Sequence, residues 1–192
     1  MVNARPGISN VVSIILTSMS SVTLAEIGDK TQLLTLLLVA RFGKPGLILL
    51  AIVLATLVNH YFAALFGEAI SGWMNPQMMR WIVSIGFFSM AIWVLFPDKD
   101  DGQIRGGHPF WTSLTVFFIA EIGDKTQIAT VLLGAHYNSL YWVVIGSTLG
   151  MVIANAPMLW FGKRLQPYVQ SGWGRKASSL LFTILGVVTL LF

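Results

Sequence analysis

Cysteine is absent from the 192 residues, which excludes disulfides, thiolate metal sites and cysteine nucleophiles. Charge is scarce: 12 Lys and Arg and 8 Asp and Glu make up 10% of the chain, against about 25% in ordinary soluble domains. So few charges could not cover the surface of a soluble globule of 21.1 kDa, so a soluble enzyme, a disordered tail and an extracellular scaffold are excluded. Histidine occurs only three times, at His60, His108 and His136, and in no repeated spacing. What the chain has in abundance is apolar surface: 55% hydrophobic residues and a mean hydropathy of +0.74. That composition predicts an all-α membrane protein, and the length leaves room for about six spanning helices.

Hydrophobic runs and their breakers place six spans. The first runs from Ile8 to Val39, interrupted by a polar cluster from Glu26 to Gln32, and the second from Leu47 to Gly67. The third covers Met78 to Phe96, and the fourth Pro109 to Ala135, interrupted from Glu121 to Gln127. Leu140 to Phe161 and Trp173 to Phe192 complete the set. Six of the seven prolines sit at these boundaries, where they cost no buried hydrogen bond; Pro157 alone lies inside a span. The first run does not read as a cleaved signal peptide, because it continues into the polar cluster rather than a small-residue cleavage site.

Basic residues set the orientation. Arg41, Lys44, Lys99, Arg105, Lys163, Arg164, Arg175 and Lys176 fall in the loops of one side, and only Arg5 and Arg80 on the other. The positive-inside rule then puts the basic loops in the cytoplasm and both termini outside. It also accounts for the pI of 9.6 without any nucleic-acid partner.

The two polar clusters are copies. Ala25 to Gln32 is identical to Ala120 to Gln127, eight consecutive residues at an offset of 95. At the same offset Thr35 matches Thr130, Ala40 matches Ala135, and Phe66-Gly67 matches Phe161-Gly162. The chain divides into a first repeat, 1–97, a cytoplasmic linker, 98–108, and a second repeat, 109–192. Three spans per half force the second half to enter the membrane from the opposite face. The expected fold is therefore six transmembrane helices as two inverted-topology three-helix repeats, an architecture used by secondary transporters.

Each cluster puts two carboxylates and one ammonium within the span: Glu26, Asp29 and Lys30, then Glu121, Asp124 and Lys125. On an unbroken helix, spacings of three and four residues put each trio on one face. A carboxylate at mid-bilayer depth costs about 2.5–3.5 kcal/mol on insertion scales, so four of them imply a function. One Lys cannot neutralise two carboxylates, and the surplus of one negative charge per half suits a single divalent cation. The further donors are oxygens: Gln32, Gln127, Thr31 and Thr126 in the clusters, with Asn59 and Asn155 at nearly equivalent places in spans two and five. Such a set favours Ca²⁺, Mn²⁺ or Mg²⁺ over Cu⁺ or Zn²⁺. Gly28 and Gly123 either unwind the backbone there or permit close helix packing. Lys30 and Lys125 are expected to tether the neighbouring carboxylates. His60 has no counterpart histidine in the second half and reads as a satisfied packing residue. Asp98, Asp100 and Asp101 read as a solvated joint between the halves. Gly146 and Gly150, with Ala51 and Ala55 as repeat mates, read as packing inside one bundle.

The doubled Glu-x-Gly-Asp-Lys-Thr motif in a six-span chain resembles the Gdt-type cation transporter family, which includes Golgi cation/proton exchangers and bacterial manganese exporters. The resemblance covers the whole chain. It implies a divalent cation/proton antiporter for Mn²⁺, Ca²⁺ or both, with Glu26, Asp29, Glu121 and Asp124 as the metal-binding acids. The short loops favour a bacterial inner-membrane member exporting Mn²⁺. No cofactor is expected, since the metal ion is cargo; its partners are that ion and the lipid bilayer, and an oligomer is open but not indicated. A passive cation channel and an exporter of small organic solutes are the alternative functions. A membrane enzyme is disfavoured because no nucleophile–base pair is visible.

Overall fold

The computed structural model describes residues 8–96, 107–169 and 172–191, and all of its regular structure is helical. The helices are α1 (Ile8–Glu26), α2 (Lys30–Phe42), α3 (Pro45–Trp73), α4 (Pro76–Trp93), α5 (Pro109–Glu121), α6 (Lys125–Tyr137), α7 (Leu140–Val169) and α8 (Trp173–Leu191). Prolines open α3, α4 and α5, where a missing N–H leaves no hydrogen bond unmade. Helices α2 and α6 both close on a left-handed residue, Gly43 and Asn138, whose N–H returns to the carbonyl of Val39 and of Gly134. Those two caps are themselves 95 residues apart, as are the starts of α2 and α6 and of α3 and α7. The repeat in the sequence is thus a repeat of four helices, α1–α4 and α5–α8.

The first and fourth expected spans are not continuous. Each breaks at its polar cluster, into α1 and α2 and into α5 and α6. Helices α2, α5 and α6 have 13 residues each, about 20 Å of helix, which is shorter than a bilayer core. Among the described residues, three helices are individually long and apolar enough to cross a membrane: Ile8–Glu26, Pro45–Trp73 and Leu140–Gly162. Much of the outward surface is apolar, with Phe62, Phe66, Ile85, Ile92 and Trp160 all more than half exposed. A surface of that kind suits lipid rather than water. The expected acidic joint at Asp98, Asp100 and Asp101 lies outside the described residues.

The halves interlock. Helix α1 packs on α7 and its mate α5 packs on α3, while α6 lies against α3 and its mate α2 against α7. Helices α4 and α8, mates of each other, pack together, and their repeat-related Phe87 and Phe182 stack at 6.2 Å. The small-residue expectation holds: Gly146 and Gly150 bring α7 onto the backbone of α1, where an added Cβ would come within 2.6 Å of the Ile15 carbonyl and 2.7 Å of the Met19 carbonyl. Two apolar clusters seal this interlocked arrangement, one around Phe87, Leu133 and Phe182, the other around Val22, Leu38, Ile52, Phe117 and Met151.

Candidate functional site

Both polar clusters unwind at their glycine. Gly28 has φ 83° and Gly123 φ 74°, the left-handed region that favours glycine. A Cβ at Gly123 would touch nothing within 4 Å, so its role is the turn and not close packing. The amide of Asp29 still bonds to the Glu26 carbonyl at 3.1 Å, and that of Asp124 to the Glu121 carbonyl at 3.2 Å, so each turn stays tight. Gln32 Oε1 accepts from the Gly28 amide at 2.9 Å and Gln127 Oε1 from the Gly123 amide at 2.7 Å. Each glutamine thus holds the break that precedes its own helix.

The break changes how the charged side chains meet. Glu26 and Glu121 end α1 and α5, whereas Asp29 and Asp124 stand at the N-cap positions of α2 and α6. They do not share one helical face with the following lysine, contrary to the expectation from an unbroken helix. The lysines cross between the halves instead. Lys30 Nζ lies 3.4 Å from Asp124 Oδ2, and Lys125 Nζ lies 3.5 Å from Asp29 Oδ1. They tether carboxylates as expected, but those of the opposite repeat. Lys125 is almost wholly buried and also donates to the Phe96 carbonyl at 2.9 Å, while Lys30 is 28% exposed.

The glutamates meet the long helices. Asn155 of α7 donates to Glu26 Oε1 at 3.0 Å and accepts from Thr35 at 2.8 Å. Glu121 Oε2 accepts from Thr126 at 3.1 Å and lies 3.8 Å from His60 Nε2 of α3. Gln32 Nε2 donates to the Ala154 carbonyl at 2.8 Å, close to Pro157, and Gln127 Nε2 reaches Asn59 Oδ1 at 3.5 Å. Asn59 itself donates to the Phe118 carbonyl at 3.2 Å. Thr31 and Thr126 are fully buried at the starts of α2 and α6. All four acids are buried, and Glu26 lies within electrostatic reach of Glu121, Asp29 and Asp124. Glu26 Oε2 and Glu121 Oε1 have no hydrogen-bond partner among the described residues.

The sequence-derived residues thus gather in one region between the halves. They do not converge on a point: among the described residues no three acidic or histidine side chains are clustered closely enough to hold an ion. The crossed lysines and the Asn155 amide stand against carboxylate oxygens of Asp124, Asp29 and Glu26. His60 departs from the expectation of a hydrogen-bonded packing histidine. It is fully buried against Glu121, and neither ring nitrogen has a hydrogen bond among the described residues, so it is not a satisfied packing histidine. Its signal was available, since at the strict offset of 95 His60 is the mate of Asn155 and Asn59 the mate of Ala154.

The family described as "Divalent cation/proton antiporter GDT1" matches residues 14–102 and 109–192. A Vibrio cholerae protein named "Putative manganese exporter" is 46% identical over 95% of this chain and 93% of its own. An Arabidopsis thaliana "GDT1-like protein 5" is 25% identical over 91% of this chain and 93% of its own. A rice "GDT1-like protein 2, chloroplastic" is 24% identical over 86% of this chain and 57% of its own. No solved structure matches.

Proposed function

Since this chain belongs to the GDT1 family of divalent cation/proton antiporters, and so to transporters rather than enzymes, we propose that it exports Mn²⁺ in exchange for protons, with Ca²⁺ as the weaker cargo. The ion binds between the repeats, at one site shared by Glu26, Asp29, Glu121 and Asp124. Gln32, Gln127, Asn59 and Asn155 supply neutral oxygens. Six membrane crossings arranged as two inverted repeats carry the site, the first and fourth each made of two half-helices broken at the motif. Both termini face outward and the basic loops face the cytoplasm, in a bacterial inner membrane.

The reciprocal lysine–aspartate crossing carries this reading. Each lysine neutralises an aspartate of the other half, so the two clusters form one electrostatic unit. The glutamates are then the uncompensated pair. One divalent cation, or two protons, would neutralise them equally, which is the charge balance an exchanger needs. Alternating access then follows from the half-helices moving against α3 and α7, since each cluster rides on a broken helix and not on a rigid rod.

Metal flux in proteoliposomes, with a panel of divalent ions and an imposed pH gradient, tests the proposal. Uptake of Mn²⁺ should depend on the gradient and dissipate it. Glu26→Gln, Asp29→Asn, Glu121→Gln and Asp124→Asn should each remove most of the flux, because the remaining groups cannot complete a hard-ion shell of about six oxygens; the glutamate variants should stay folded, whereas Asp29→Asn also leaves the buried Lys125 uncompensated and should lower stability. Flux indifferent to the pH gradient would replace the exchanger with a channel.

A further inference from the structure

The two halves place different chemistry at one equivalent point. Exchange of the halves maps Glu26 onto Glu121 and Asn155 onto His60. Asn155 is saturated: its amide donates to Glu26 at 3.0 Å and to the Met151 carbonyl at 3.2 Å, and its oxygen accepts from Thr35 at 2.8 Å. His60 is not. Thr35 and its mate Thr130 both bond back to the carbonyl four residues earlier, of Thr31 at 2.9 Å and of Thr126 at 2.8 Å, but only Thr35 also reaches its partner on the long helix. The ring is 0% exposed, and its Nε2 stands 3.8 Å from Glu121 Oε2, beyond hydrogen-bond length. Glu121 Oε1 is likewise without a hydrogen bond among the described residues. A buried imidazole with neither nitrogen satisfied is costly. Here it stands beside a buried carboxylate whose Oε1 is also without a hydrogen bond among the described residues, so an imidazole nitrogen and a carboxylate oxygen are both available on adjacent side chains.

We propose that His60 is a specificity-determining ligand, the nitrogen donor by which this site prefers a first-row transition ion such as Mn²⁺ over Ca²⁺. This rests on the shared-site reading above. The physical basis is the donor set. Oxygen donors serve Ca²⁺ and Mn²⁺ alike, so they cannot separate the two; calcium takes oxygen ligands alone, whereas Mn²⁺, a first-row transition ion, tolerates one imidazole nitrogen beside carboxylates. Without His60 every side-chain donor of the site is oxygen, and the site would not distinguish the two ions by ligand type. The symmetric half shows the neutral alternative: asparagine fits the same position beside the same glutamate.

The test uses the full-length protein, purified in detergent. Electron spin-echo modulation of bound Mn²⁺ should show imidazole nitrogen, replaced by the ¹⁵N pattern when histidine is ¹⁵N-labelled. The signal should persist in His136→Gln and vanish in His60→Asn, the substitution that makes the halves alike. Calorimetry should show the preference for Mn²⁺ over Ca²⁺ falling by about tenfold or more in His60→Asn, with Ca²⁺ affinity held. Equal loss of both ions would make His60 structural and overturn the inference. So would Mn²⁺ bound without nitrogen modulation in the unmodified protein, a measurement that stands even if the variant fails to fold. Failure of the underlying reading looks different: Mn²⁺ would then bind with full affinity in Glu26→Gln and Asp124→Asn.

Discussion

The lysines show how far single residues can be read without neighbours. Their presence beside four carboxylates was plain in the sequence, and so was the surplus of negative charge. Their partners were not, because each pair joins groups 94 or 96 residues apart and depends on a helix break that hydropathy does not register. The register of His60 was hidden for a related reason. Matching Asn59 to Asn155, like with like, used an offset of 96 and hid the strict register that sets His60 against Asn155. The two crossed pairs are equivalent in connection but not in burial, with Lys125 at 2% exposure and Lys30 at 28%. Removing one partner of a buried ion pair costs about 3–5 kcal/mol, because the other charge is left uncompensated. Lys125→Met should therefore lower thermal stability much more than Lys30→Met. Adding Asp29→Asn to Lys125→Met should restore most of that stability without restoring transport. A double-mutant cycle followed by thermal unfolding in detergent measures the coupling; additive losses would mean that Lys125 is held by the Phe96 carbonyl rather than by Asp29.

Among the elements, the broken helices matter most. Ile8 to Val39 reads as one apolar run because the residues on either side of the break are equally apolar, so pattern alone could not separate a polar patch on a straight helix from an interruption. The glycine was the clue, and it allowed two meanings. The structure selects one through positive φ at both positions and open space around Gly123. The break lets a glutamate end one helix while an aspartate precedes the next. It also turns the lysine side chains towards the other repeat. Gly134 is the contrasting case: its backbone φ needs no glycine, but a Cβ there would meet the Ala64 carbonyl at 2.6 Å. Substitution should separate the two roles. Gly123→Asn should be tolerated, since asparagine accepts the left-handed region, while Gly123→Val should cost about 1–2 kcal/mol and most of the flux. Gly134→Val should fail by steric separation of α6 from α3. Thermal unfolding together with proteoliposome flux distinguishes them; equal tolerance of valine and asparagine at 123 would remove the turn from the mechanism.

For the whole molecule, the duplication and the membrane class were legible from the sequence, but the unequal seating of the two halves was not. Helix α6 meets α3 backbone to backbone: Gly67 sits against the Val131 carbonyl and the Ala135 amide, and Gly134 against Ala64. The equivalent seam of α2 and α7 has Val39 and Leu159 where the first has Gly134 and Ala64, and among the described residues Gly162 meets the Leu36 side chain rather than backbone. A cavity of about 610 Å³ opens beside that second seam, lined by Val39, Ala40, Leu159, Gly162 and Arg164 among others. The identical mates Ala40 and Ala135 record the difference, one exposed and the other buried. In the orientation proposed above from the basic residues, the Ala40 end of α2, beside Arg41, would face the cytoplasm and the Ala135 end of α6 would face outward. In an inverted repeat, exchanging the two seams would open the opposite face. The absence of native cysteine makes this directly measurable. In inside-out vesicles Ala40→Cys should react quickly with a membrane-impermeant maleimide, whereas Ala135→Cys should react slowly from the outer face of right-side-out vesicles. Loading Mn²⁺ and reversing the pH gradient should protect the first position and expose the second. Reactivities that never change together, whatever the ion and gradient, would leave a fixed cleft and end the case for alternating access.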